Sequence, residues 1–116
     1  MFVSVVLDPG GIDSAKAISQ ILVRFGFKKV QRACWENFNI SENQLSILKR
    51  YLDNETDYYD TLRIYQFPIN GNFAITQMDK KKWKKAIFQA VTLDFHSGEK
   101  QDALKKIGVE NDSIED

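Results

Sequence analysis

Phe2-Val-Ser-Val-Val-Leu7-Asp8-Pro-Gly-Gly11 is the stretch on which the fold turns. Its first six residues are apolar or β-branched except Ser4, which predicts a short strand buried on both faces and therefore central in a sheet. Pro9 withdraws a backbone donor and Gly10-Gly11 loosen the chain, so the strand stops at Asp8. Asp13 or Ser14 is then placed to cap a helix. Ile18, Ile21, Leu22 and Phe25 follow at i, i+3, i+4 and i+7, one helical face, and Gly26 stands where a left-handed C′ residue ends a helix.

Outward from this unit the pattern continues. Val30 to Phe38 reads as a second strand region that can divide near Glu36-Asn37. Ser41-Glu-Asn-Gln44 fits a capping box, and Leu45, Leu48 and Leu52 carry the helical spacing onward. Thr61 to Phe67 alternates with period two and ends at Pro68. Asn70-Gly71 signals a tight turn, so Phe73 to Met78 returns as a further strand. Asp79 is then positioned to cap a last helix reaching about Phe95. Trp83, Ile87 and Val91 fall on one face of it, and residues 99–107 form a weaker helix candidate. The fold class expected is α+β: a βαββαβ ferredoxin-like unit with an extra C-terminal strand and a helical appendix. Residues 1–79 would be the dimerising domain, 80–107 a lysine-rich helical appendix, and 108–116 an acidic disordered tail.

With 116 residues, 43% of them hydrophobic, the chain suits one domain. Its one cysteine excludes an internal disulfide or a cysteine-built zinc cluster, and Cys34 reads as a small core residue. No run approaches the ~18 apolar residues of a membrane span, and no basic region precedes the N-terminal apolar run, so the cytoplasm is the default location. Net charge is zero, but unevenly spread: residues 80–85 read KKKWKK, and the C-terminal end is acidic. No glycine-rich phosphate loop is present, and the lone His96 reads as a surface residue.

Three segments together resemble the CRISPR-associated endoribonucleases, the small dimeric partner of the CRISPR integrase. They are Val3-Ser-Val-Val-Leu-Asp8, then Phe25-Gly-Phe-Lys-Lys-Val-Gln-Arg-Ala-Cys-Trp-Glu36, similar to the family's glycine followed by R-[IV]-Q-x-S-V-[FY]-E, and Asp60-Thr-Leu-Arg-Ile-Tyr65, similar to D-S-[VL]-R-[IF]-Y. The resemblance implies a homodimer with the two Asp8 carboxylates facing across a two-fold axis and Mg2+ between them. It also implies binding of a DNA duplex or of single-stranded RNA, bridging of integrase subunits in spacer acquisition, and endonuclease activity in some members. Leu7 stands for the family's tyrosine, Ala15 and Ala17 flank Lys16 where basic residues are usual, and Lys29 replaces an arginine. Slow cleavage is therefore the expectation. A ribonuclease toxin of the virulence-associated D type resembles the same fold and also carries a strand-one aspartate. A ferredoxin-like regulatory domain binding a small effector is the reading from another class.

The candidate chemistry follows. Asp8 is the metal ligand and catalytic carboxylate, or else a turn cap. Lys16, Arg24, Lys28, Lys29 and Arg32 would make a basic saddle when doubled in a dimer, with an ordinary solvated face as the alternative. Lys80, Lys81 and Lys82 would bind a phosphate backbone, or simply solubilise a helix start. Trp35 would stack on a base, or pack in the core.

Overall fold

Strand β1 (Phe2–Asp8) lies in the middle of an antiparallel sheet, hydrogen-bonded on one side to β3 (Cys34–Asn37) and on the other to β4 (Thr61–Ile69). The protein is described here from a computed structural model covering residues 1–69, 71–90 and 104–111. Helix α1 (Ile12–Arg24) follows β1, β2 (Lys28–Gln31) precedes β3, and α2 (Glu42–Glu55) joins β3 to β4. Strands β5 (Asn72–Asp79), β6 (Lys82–Ala90) and β7 (Leu104–Asn111) extend the sheet to the order β2-β3-β1-β4-β5-β6-β7. The architecture is mixed α+β, two helices on an antiparallel sheet.

The core shows why. Val3, Val5 and Leu7 of β1 and Leu62 and Ile64 of β4 project to one face. There they meet Ile18, Ile21 and Leu22 of α1 and Leu45, Leu48 and Leu52 of α2, all buried. Both helices therefore lie on the same side of the sheet. Burying each such side chain contributes about 1.5–3 kcal/mol, so this one layer supplies most of the driving force. Two of the helix ends, the start of α2 and the end of α1, follow their sequence signals closely. Ser41 and Gln44 form the reciprocal capping box. Gly26, at φ +87°, ends α1 in a Schellman motif, with Gly26 N–H on the Val23 carbonyl and Phe27 N–H on that of Leu22.

Other elements depart from the sequence reading. Helix α1 begins at Ile12 with Gly11 as its N-cap and no side-chain cap bond, so neither Asp13 nor Ser14 fills that role. The strand region divides at Arg32-Ala33, earlier than Glu36-Asn37. Among the described residues strand β1 is covered on one face only: Val6 and Asp8 are exposed and Phe2 and Ser4 half-buried.

The largest correction is C-terminal. Residues 82–90 form strand β6, not a helix. Lys80 (φ 52°) and Lys81 (φ 64°) both adopt left-handed backbone, as a two-residue hairpin of the I′ kind requires, and Asp79 pairs with Lys82. The sheet continues unbroken across the domain boundary expected at residue 79. The outer edge of β5, which would otherwise seek a partner protomer, is taken up by β6 of the same chain. Part of the candidate helix 99–107, and of the tail expected from residue 108, lies in β7. The rest of those readings, with Phe95 and His96, fall outside the described residues. Among the described residues no helix is long and apolar enough to cross a membrane.

Candidate functional site

With both helices on one side, no element among the described residues covers the other face of the sheet, and the register sorts its side chains into rows. At one end stands a row of phenylalanines. Phe38 meets Phe2 at 4.8 Å between ring centroids, Phe2 meets Phe67 at 6.0 Å, Phe67 stacks on Phe73 at 5.1 Å, and Phe73 on Phe88 at 5.0 Å. The last two pairs are tilted by only 14°, so these rings stand side by side across the strands and lean on each other. Phe38 is 77% exposed.

At the opposite end of the same face lies Asp8, exposed, opposite Thr61 in the β1–β4 register. Between the two ends the row Val6, Arg63, Gln77, Lys84 crosses the strands, and Arg63 sits 5.5 Å over the Tyr65 ring. Asp8 is the residue that sequence reasoning put at the functional centre, and the fold presents it to solvent at the mouth of the β1–α1 loop.

That loop is held from below. Asp60, wholly buried, accepts the Gly10 N–H at 2.7 Å through one carboxylate oxygen and the Asp57 N–H at 2.8 Å through the other. Gly10 packs so closely on Tyr59 that a Cβ there would lie 2.5 Å from the Tyr59 Cβ and 2.8 Å from its carbonyl oxygen. Only glycine fits. The loop that follows Asp8 thus has two fixed points, and Asp60, which ties it, is a residue that the sequence reading quoted only as part of a segment. Its signal was a single aspartate immediately before the period-two strand.

The lysine knot separates into two jobs. Lys81 turns inward: its ammonium donates to the Asp53 carbonyl and, at 3.2 Å, to the Asp53 carboxylate. Trp83 Nε1 donates to the same carboxylate at 2.9 Å. A cation at the carbonyl end of α2 complements the helix dipole there, so Lys81 tethers the hairpin to the helix and is committed away from any ligand. Lys80, Lys82 and Lys84 instead line an open cleft of about 260 Å³ with Tyr58, Gln77 and Asp79. Tyr58 was not singled out by the sequence; an aromatic pair in a polar loop was the available signal.

The remaining candidates are more dispersed. Lys28, Lys29 and Arg32 are exposed on or beside the edge strand β2, and Lys29 covers Trp35 at 5.7 Å from its ring centroid. Trp35 is 6% exposed and belongs to the core, so it offers no open ring face to a base; its apolar bulk wins over the stacking role. Arg24 lines a separate shallow cleft with Phe25, Gln44, Ile47 and Tyr51, and Lys16 is exposed on α1. Cys34 is half-buried on the face opposite the helices, its sulfur 3.4 Å from the Ser4 hydroxyl.

Among the described residues no three Asp, Glu, His or Cys side chains gather to hold a metal ion. Magnesium takes near-octahedral oxygen ligands, keeping several waters and using one or two carboxylates. Asp8 alone supplies one carboxylate of that set. Comparison of the chain with family models, with curated proteins and with solved structures finds no match.

Proposed function

We propose that the chain works as a nucleic-acid-binding homodimer of the CRISPR spacer-acquisition kind, in which the sheet faces opposite the helices meet and bring two Asp8 carboxylates to one Mg2+. The observation that carries this reading is the sheet face that no described element covers: a row of phenylalanines, Phe38 and Phe67 exposed and Phe2, Phe73 and Phe88 half-buried, shares it with an exposed strand-end aspartate. Faces of β-sheets pack with their strands roughly aligned. A two-fold axis lying between the faces and running along β1 sets each cross-strand row on its own copy. Phenylalanines then pack on phenylalanines, and Asp8 comes opposite Asp8. The apolar side chains on both faces of β1, read from sequence as a sign of burial on both sides, are accounted for in this way. The βαββαβ order and the arrangement β2-β3-β1-β4 support a ferredoxin-like core, extended by β5, β6 and β7.

In the dimer the Asp8 pair holds the ion, and Asp60 holds the loop that aims each Asp8. The ion, when bound, lowers the pKa of a water and braces a phosphate oxygen. Lys82 and Lys84, on β6 beyond the strands that an axis along β1 sets opposite the partner's sheet, supply phosphate contacts, which position a backbone without reading its sequence. The resemblance supplies the partner, an integrase subunit that the dimer bridges. Leu7, Ala15 and Ala17 fit slow cleavage beside firm binding.

The test is a paired assay of cleavage and duplex binding for wild type and Asp8→Ala, with and without magnesium. Magnesium-dependent cleavage by Asp8→Ala should fall by roughly 10²–10³, as when a transition-state-stabilising group is removed. Duplex affinity should stay unchanged and should weaken steeply with added salt. Equal cleavage by both proteins would remove Asp8 from the chemistry.

A further inference from the structure

Tyr58 and Tyr59 are 56% and 76% exposed, in the loop that leads from α2 into β4. Their backbone is nevertheless fixed: the Asp57 carboxylate accepts the Tyr59 N–H at 2.8 Å, and Asp60 ties the same loop to Gly10. The rings meet edge to face, 5.6 Å apart at 82°, an arrangement that keeps ring faces open to solvent. On one side Tyr58 lines the cleft of Lys80, Lys82 and Lys84. On the other, Tyr59 abuts Gly10, two residues from Asp8.

We propose that Tyr58 and Tyr59 with the lysine cleft form a site for an unpaired nucleotide, its base stacked on a tyrosine ring and its phosphate held by Lys80, Lys82 and Lys84. The inference rests on the nucleic-acid reading above and narrows it to a single-stranded segment beside Asp8. An open aromatic face next to a cationic groove is the chemistry by which single strands are bound, because every base has a π-face and every nucleotide a phosphate. A duplex hides its base faces and cannot use the rings. The phenylalanine row does not serve this purpose, since Phe67, Phe73 and Phe88 already cover each other's faces. Asp79 also lines the cleft, and its cross-strand partner Lys82 offsets that charge. The I′ turn at Lys80-Lys81 sends Lys81 inward to Asp53 and leaves Lys80 in the cleft.

The experiment measures fluorescence anisotropy of labelled oligo-dT, oligo-rU and a blunt DNA duplex with the full chain. The proteins are wild type, the double variant Tyr58→Ala/Tyr59→Ala, and Tyr58→Phe/Tyr59→Phe. Both side chains are exposed, so the variants keep the core intact. The alanine variant should lose about tenfold or more in single-strand affinity, with duplex affinity within twofold of wild type and the phenylalanine variant close to wild type on both. A preference between oligo-rU and oligo-dT that the alanine variant loses supports the site. Unchanged single-strand binding by the alanine variant, or an equal loss on single strand and duplex, overturns the site. A wild type that binds duplex but no single strand overturns the site while leaving the broader reading intact, and one that binds neither overturns both.

Discussion

Replacing Asp60 by asparagine probes the support beneath Asp8. The carboxylate is fully buried, and each oxygen accepts one backbone N–H, from Gly10 at 2.7 Å and from Asp57 at 2.8 Å. Asparagine keeps the shape but has one acceptor oxygen. Its amide nitrogen must then face the other N–H, donor against donor. A hydrogen bond to a charged group contributes about 1.5–3 kcal/mol, and a buried unpaired donor costs about 1–3 kcal/mol. The remaining bond also loses its charge assistance. A total loss of about 2–4 kcal/mol follows, set against a total stability of about 5–15 kcal/mol for a domain of this kind. Asp60→Asn should therefore still fold. Two readings check this. Urea denaturation should give the lower stability, and amide exchange should accelerate at Gly10, whose protection depends on that carboxylate, by about 30-fold to 1000-fold. Asp60→Ala, which leaves both donors unpaired, should be worse. Asp60→Asn with stability within about 0.5 kcal/mol of wild type and unchanged Gly10 exchange would refute the reasoning.

The hairpin and the face opposite the helices give two further outcomes. Lys80→Asn should stabilise by about 0.5–1 kcal/mol in chemical denaturation, because asparagine tolerates left-handed backbone. Lys81→Asn gains the same relief yet should be net destabilising through the lost Asp53 contacts, and the reverse order would contradict the assigned roles. Phe67→Ser combined with Phe73→Ser should shift sedimentation from dimer to monomer while leaving the circular dichroism spectrum unchanged. A dimer that persists would place the interface elsewhere.

How far the sequence carried the account varies by element. The Ser41–Gln44 box, Gly26 and the leucines of α2 were legible because caps and helical spacing are local rules. The central place of β1 was legible from its apolar run, but the run could not say that no described helix covers its second face, since apolar side chains such as Phe2 and Val6 suit a covered face and an open one alike. Residues 82–90 were misread for a definite reason. Trp83, Ile87 and Val91 are spaced by four, which is one face of a helix and equally one face of a strand, because four is an even number. The tie is broken by Lys80 and Lys81 in left-handed backbone, where sequence statistics favour Asn-Gly, so the hairpin was hidden by atypical turn residues. At the site, Asp8 was legible as a carboxylate ending a strand before Pro-Gly-Gly. Asp60, Tyr58 and the division of labour among the lysines were not, because each depends on residues about 28 to 50 positions apart in sequence.

The paired Asp8 site is the claim on which the proposed function depends, and its stoichiometry is directly measurable. Mn2+ can stand in for Mg2+ in oxygen sites and is visible by electron paramagnetic resonance. Titration of the full chain with Mn2+, followed by this signal, should saturate at one ion per two chains. Asp8→Ala should abolish that binding while sedimentation still shows a dimer. One ion per chain, or binding that survives Asp8→Ala, would contradict a site shared across the two-fold axis.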